Sequence, residues 1–347
     1  MTEQNPLITP YDLPRFHQIK PEHVLPALQH ALDKSKKILA EIEEVTEPSW
    51  QTVLEPLSDI GDLLHRSFGP VSHLHSVANS ESLREVYNQA LPLLVEFSLT
   101  LSQNKKIYQQ LKEIQKSPSW VTLTMGQRRT IEHKIQAAEL AGIALKDDEQ
   151  QKFNALISEL RNLETQFSNN VLDATKAFKL VIHGKEKLRG LPESFLELAV
   201  EKYAASQNKG ANTNAGPWQL GLDGASYLPV MQFAEDRILR HEVYAAYLTR
   251  ASTEPTDNRD LIEKILDLRK KQAQMLGFHN FAAMSLTEKM AKNPAAVYSL
   301  TEDLLQKAFP QAQCELEELI VYAKKHGQKE PLEHADISFW AKRLEEE

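Results

Sequence analysis

Asp147 to Ala174 reads DDEQQKFNALISELRNLETQFSNNVLDA, and its apolar residues Phe153, Leu156, Leu160, Leu163, Phe167 and Val171 recur at three- and four-residue steps. That period lines one face of an α-helix. At 1.5 Å per residue the stretch makes a helix of about 28 residues, ~40 Å long. The same period extends upstream. Pro21 to Val45 places Val24, Leu28, Ala31, Leu32, Leu39 and Ile42 on one side, and Lys34, Lys36, Lys37, Glu41 and Glu43 fill the rest of the arc. Pro21 and Pro26 are expected in its first turn, where a missing N–H costs little. A second helix is predicted from about Ser49 to Phe68, stopping at the breakers Gly69-Pro70. Further helices are predicted from Ser80 to Gln103, kinked at Pro92, then from Lys105 to Gln115 and from Thr124 to Ala141.

The pattern changes at Phe178. Phe178 to Ile182 alternates as a strand does, Leu191-Pro192 reopens a helix, and Trp218 to Leu222 and Tyr227 to Met231 are strand-like. Of the 12 glycines, Gly210, Gly216, Gly221 and Gly224 crowd this region, so a small hairpin with a mobile tip at Lys209 to Gly216 is expected. Helical period then returns. Asp236 to Ala251 gathers Ile238, Val243, Tyr244 and Tyr247, and a cap at Asp257 or Asn258 opens a helix ending at Gly277. Asn293-Pro294 opens another to about Lys325 with a bend at Pro310, and Asp336 caps a last one running to Glu347. The expected fold is mainly α, a multi-helix array with a small β-hairpin excursion. It is organised as a helical region over 1–176 and a second mainly helical region over 177–347, with the β element at about 178–231. No fixed-period repeat supports a solenoid.

Composition removes several functions. Lys and Arg number 40 against 48 Asp and Glu, a formal charge of -8, whereas nucleic-acid binding needs a basic field. No apolar run approaches the ~18 residues of a membrane span. Met1 to Asp12 carries no basic stretch followed by an apolar one, so no leader is readable, and the lone Cys314 permits no internal disulfide. A soluble, cytoplasmic protein with neither nucleic-acid nor membrane partners is expected.

The search for chemistry is mostly negative. The Walker, dinucleotide, G-x-S-x-G and C-x-x-C patterns are all absent. His73 and His75 share a face if their segment is an extended loop, but no third ligand is near. His241-Glu242 begins like H-E-x-x-H, yet Ala245 stands where the second histidine belongs. Glu43-Glu44 and Glu317-Glu318 lie on solvated helix faces. Trp218, Tyr227, Tyr244 and Tyr247 could line a peptide groove or pack a core. No catalytic, cofactor-binding or metal-ligating residue is expected among the 347.

Ordered strings nevertheless carry a resemblance. NPLITPYDLPRF (Asn5 to Phe16), IKPEHVLPAL (Ile19 to Leu28), PVSHL (Pro70 to Leu74) and FSNNVLDAT (Phe167 to Thr175) come first. SYLPVM (Ser226 to Met231), RILRHEVYAAYLTRAS (Arg237 to Ser252), LGFHNFA (Leu276 to Ala282), LTEKMAKNP (Leu286 to Pro294) and DISFWAKRL (Asp336 to Leu344) follow. Together they resemble the thimet-oligopeptidase-like zinc metallopeptidases over essentially the whole chain. Gly224-Ala225 departs from the family, which more often has Pro before the Ser-Tyr pair.

The resemblance implies a two-lobed enzyme whose zinc is held by two histidines of H-E-x-x-H and a distal glutamate, all lying after the DISFW-like segment. This chain is therefore expected to be the N-terminal portion, truncated at Glu347 where three glutamates sit at the unfavourable end of a helix dipole, with no zinc and no activity alone. Its implied work is to wall a channel for short unstructured peptides, with the missing C-terminal catalytic half as partner. The alternatives are a non-catalytic helical module that binds peptides or proteins, and a different enzyme using His73, His75 or His241.

Overall fold

The computed structural model describes residues 5–9, 12–207 and 216–347. The tip expected at Lys209 to Gly216 falls outside these residues except for Gly216 itself. The chain forms two compact units, Met1–Arg161 with Leu268–Met290 and Asn162–Asp267 with Ala291–Glu347.

In the first unit, α1 (Pro21–Glu43), α2 (Glu55–Val77), α3 (Glu81–Ser102), α4 (Lys105–Lys116) and α5 (Met125–Leu140) pack around one core. The start of α6 (Asp147–Ala177), the end of α10 (Arg259–Met275) and α11 (Phe281–Leu286) also belong to this unit. Val24, Leu28, Ile42, Ile60, Val71 and Ile131 are almost wholly buried, each removing an aliphatic side chain from water for about 1.5–3 kcal/mol. The helix starts follow the capping chemistry of the sequence. Ser80, Asn104 and Thr124 accept hydrogen bonds from the backbone N–H groups of Leu83, Ile107 and Gln127.

α2 corrects the sequence expectation. A π-helical turn, Trp50–Leu54, leads into it, and it runs through Gly69-Pro70 to Val77 instead of stopping at Phe68. Pro70 removes one intrahelical bond, yet Phe68, Pro70 and Val71 are all buried, and this core packing outweighs the local penalty of ~3 kcal/mol. Pro26 likewise sits inside α1, beyond the first turn, and α3 continues past Pro92.

The second unit holds the rest of α6 together with α7 (Glu193–Gln207), α8 (Gly224–Phe233), α9 (Arg237–Leu248), α12 (Pro294–Lys325) and α13 (His334–Glu346). Its sheet pairs β1 (Leu180–Ile182) with β2 (Trp218–Leu220), antiparallel, with Leu180 opposite Leu220 and Ile182 opposite Trp218. The strand expected at Tyr227 to Met231 is instead part of α8, because the Asp223 carboxylate accepts the Ser226 N–H and starts a helix there. Trp218, Leu220, Val230, Leu239 and Val243 form the core. Ile238, expected to join that face, is 79% exposed, and the inward side of α9 is Leu239, Arg240 and Val243. α13 starts earlier than expected. Glu333 is its N-cap and Asp336 lies inside the first turn.

α12 is the exception to good burial. Of its 32 residues only Leu319 and Ala323 are buried, against Phe339 and Trp340 of α13. Leu300 is 60% exposed and Phe309 55%, and Val297, Leu304, Leu305 and Leu316 are also open to solvent. No helix among the described residues is long and apolar enough to cross a membrane.

Candidate functional site

The functional residues of the second unit start from the string RILRHE. On α9, Arg237, Arg240 and His241 fall at i, i+3 and i+4 and so share a face. Asp336 of α13 meets them. Its carboxylate accepts from Arg237 Nη2 at 2.9 Å, from Arg237 Nε at 3.1 Å and from Arg240 Nη2 at 2.8 Å. The Glu333 backbone N–H adds a bond to Oδ2 at 3.1 Å. Asp336 is fully buried and Arg240 is 1% exposed.

Burial alone would raise the Asp336 pKa, but the hydrogen bonds from Arg237 and Arg240 reverse this and hold it at about 2. For Arg240 burial wins, and its pKa is lowered although Asp336 opposes the shift. Phe339, one turn along α13, lies under the Arg240 guanidinium at 3.9 Å and under that of Arg343 at 3.5 Å. A carboxylate so saturated with donors and so acidic cannot take up a proton near neutral pH. The cluster is a clamp between α9 and α13.

A second patch lies on the same unit. The rings of Tyr227 and Tyr247 stack at 3.9 Å, and the Arg250 guanidinium sits 3.6 Å from the Tyr247 centroid. Arg250 Nε donates to the Tyr247 carbonyl at 2.9 Å and Nη1 to Thr175 Oγ1 at 3.4 Å. Burial, with Tyr244 and Tyr247 alongside, raises the Tyr227 pKa. Nearby in sequence, Asn170 Nδ2 donates to Asn258 Oδ1 at 2.9 Å, and Asn258 Nδ2 to the Phe167 carbonyl at 3.0 Å. These bonds tie the end of α6 to the turn before α10. The Tyr247 ring thus has the Tyr227 ring and the Arg250 guanidinium stacked against it, a half-buried aromatic and cationic patch.

The residues singled out from the sequence sort clearly. Trp218 is core, separate in role from Tyr227, Tyr244 and Tyr247, which are half-buried. His73 and His75 lie on α2 and not in a loop. Spacing of two on a helix turns them ~200° apart, so they share no ligand face. His73 tilts against Phe16 at 5.3 Å, and buried His75 stacks on Tyr87 at 4.0 Å. His241 stands 3.5 Å from Glu333 and 3.7 Å from Asp336. Cys314 is exposed. Among the described residues no group of three or more His, Cys, Asp or Glu is placed to hold a metal ion. The Arg240–Asp336 pair escaped the sequence reading. Its one local signal was an arginine on the apolar side of α9, and its partner lies 96 residues away.

Comparison with known proteins gives two family matches. Residues 28–150 match the neurolysin/thimet oligopeptidase N-terminal domain. Residues 230–347 match peptidase family M3. The chain is 40% identical over 344 residues to the probable cytosolic oligopeptidase A of Arabidopsis thaliana, covering 99% of this chain and 49% of the relative. It is 38% identical over 345 residues to oligopeptidase A of Escherichia coli, covering 98% and 50%. A dipeptidyl carboxypeptidase of Escherichia coli is 25% identical over 353 residues, covering 100% and 51%. The chain thus spans about half the length of the curated relatives it matches.

Proposed function

We propose, from the premise that this chain belongs to peptidase family M3 as an oligopeptidase A-like member, that it forms the peptide-admitting part of a metal-dependent oligopeptidase and holds no catalytic metal itself. One observation carries the second half of that statement: no H-E-x-x-H occurs in the sequence. Its nearest approach, His241-Glu242, is followed by Ala245 and is drawn into the clamp around Asp336. A catalytic zinc takes three protein ligands. The described residues do not fit such an ion. Hydrolysis by this chain alone is therefore not expected.

The bare face of α12 supports the same reading. At 1.5 Å per residue, Pro294 to Glu318 is a ridge of about 37 Å on which Leu300, Leu304, Leu305 and Phe309 meet solvent. A self-sufficient binding module would cover such a surface. The occupant we assign to it is polypeptide that the longer relatives carry beyond the matched half. The substrates are short unstructured peptides, met by the Tyr227–Tyr247–Arg250 patch. The exposed Cys314 fits a reducing, cytoplasmic setting.

The test is binding without cleavage. A fluorescent peptide of about ten residues should bind saturably and be recovered intact by mass spectrometry. Tyr247→Ala combined with Arg250→Ala should weaken binding about tenfold or more, while each loss alone weakens it less. Cleavage of the peptide by the purified chain would overturn the assignment, and unchanged affinity in the double variant would remove the patch from it.

A further inference from the structure

In the first unit, α2, α3, α4 and α5 enclose a cavity of about 180 Å³ that is separate from everything the peptidase reading uses. Its wall is mostly apolar, built by Leu57, Leu101, Ile107 and Leu111, with Tyr108, Ser102 and Asn104 adding polar groups. One cation lines it, Lys134 of α5. Lys134 is only partly exposed, and no hydrogen bond or ion pair joins it to another described residue. Burial lowers its pKa and nothing acts against the shift.

The neighbouring charges explain why it stands alone. Of the two acids on α5, Glu132 pairs with Arg129 at 3.6 Å, and Glu139 accepts the Tyr108 hydroxyl at 2.8 Å and faces Lys112 at 3.8 Å. Glu43 is taken by Asn104 and by Lys106 at 3.8 Å. Lys105 has Asp147 at 3.6 Å. The surrounding lysines thus have acids, and the one at the apolar cavity has none. A half-sunk ammonium without a counter-charge is costly, and a hydrophobic residue of similar volume would fill the place at less cost. Pockets between helices that combine apolar walls with a few placed polar groups are ligand sites.

We propose that this cavity binds a small aliphatic carboxylate, its tail among Leu57, Leu101, Ile107 and Leu111 and its carboxylate on the Lys134 ammonium. At the roughly 30 Å³ a water-sized group occupies, the space holds about six non-hydrogen atoms. That is the size of an acid of about four carbons, whose two oxygens complete the six, and it is too small for a peptide terminus with its flanking residues. The exposed Ser98 at the rim provides the way in.

The experiment is calorimetric titration of the 347-residue protein with butyrate and butanol at neutral pH. Saturable binding of a carboxylate is expected, with the alcohol at least tenfold weaker. Lys134→Met should lose the carboxylate preference at least tenfold, and Lys134→Arg should keep it. The Met variant should melt no lower than the parent, because an uncompensated charge has been removed, and this separates lost binding from lost folding. No saturable carboxylate binding, or equal binding by parent and Lys134→Met, overturns the proposal. So does butanol binding as tightly as butyrate.

Discussion

Asp336 makes the clamp between α9 and α13 sensitive to pH. Its folded pKa of about 2 lies below the ordinary 3.8, so the unfolded chain takes up this proton first as the medium acidifies. The contribution is complete above about pH 4 and is lost as pH falls toward 2. Asp336→Asn should flatten that acid limb in urea unfolding curves measured from pH 6 to pH 2. The same substitution leaves buried Arg240 without its anion, and breaking a buried pair in this way costs ~3–5 kcal/mol at neutral pH. A loss below ~1 kcal/mol would mean the clamp contributes little. At this scale the sequence was legible only in part. Asp336 was visible as a helix-start residue, but its three-way hydrogen bonding to α9 depends on contacts nearly a hundred residues away. His73 and His75 were expected in a loop, and they lie on α2 because that helix runs on through Gly69-Pro70.

Helices with a clean period were legible at their starts and to within a few residues at their ends. α5 begins after Thr124, α6 at Asp147 and α12 after Asn293, as the capping residues and the three-and-four spacing require. The misses have one cause each. Gly69-Pro70 is a local stop that α2 overrides because Phe68 and Val71 face the core. The run Tyr227 to Met231 has strand-like composition, but the Asp223 cap decides for helix. α12 gives a sharp contrast within one element. Leu319→Ala, at its buried end, should destabilise by ~2–5 kcal/mol in thermal or urea unfolding. Leu304→Glu with Phe309→Glu, on the open ridge, should change stability by less than about 1 kcal/mol. The same pair should lower binding of a hydrophobic dye and reduce self-association in light scattering. If the ridge variants unfold as readily as Leu319→Ala, the face is packed in solution.

At the scale of the molecule, the mainly helical architecture with one small sheet was readable from period and low glycine content. The return of Leu268–Met290 to the first unit had no local signal. It rests on contacts such as Gln136 Nε2 to the Thr287 carbonyl at 2.8 Å, across 151 residues. The likeness to oligopeptidase A was legible through the order of the family strings and not through any cluster of reactive side chains. The decisive measurement is metal content, read by elemental mass spectrometry after equilibration with equimolar zinc and gel filtration, with peptide turnover followed in the same sample. Substoichiometric zinc with no turnover is the expected result. One zinc per chain, retained through the column and supporting turnover that a chelator abolishes, would contradict it.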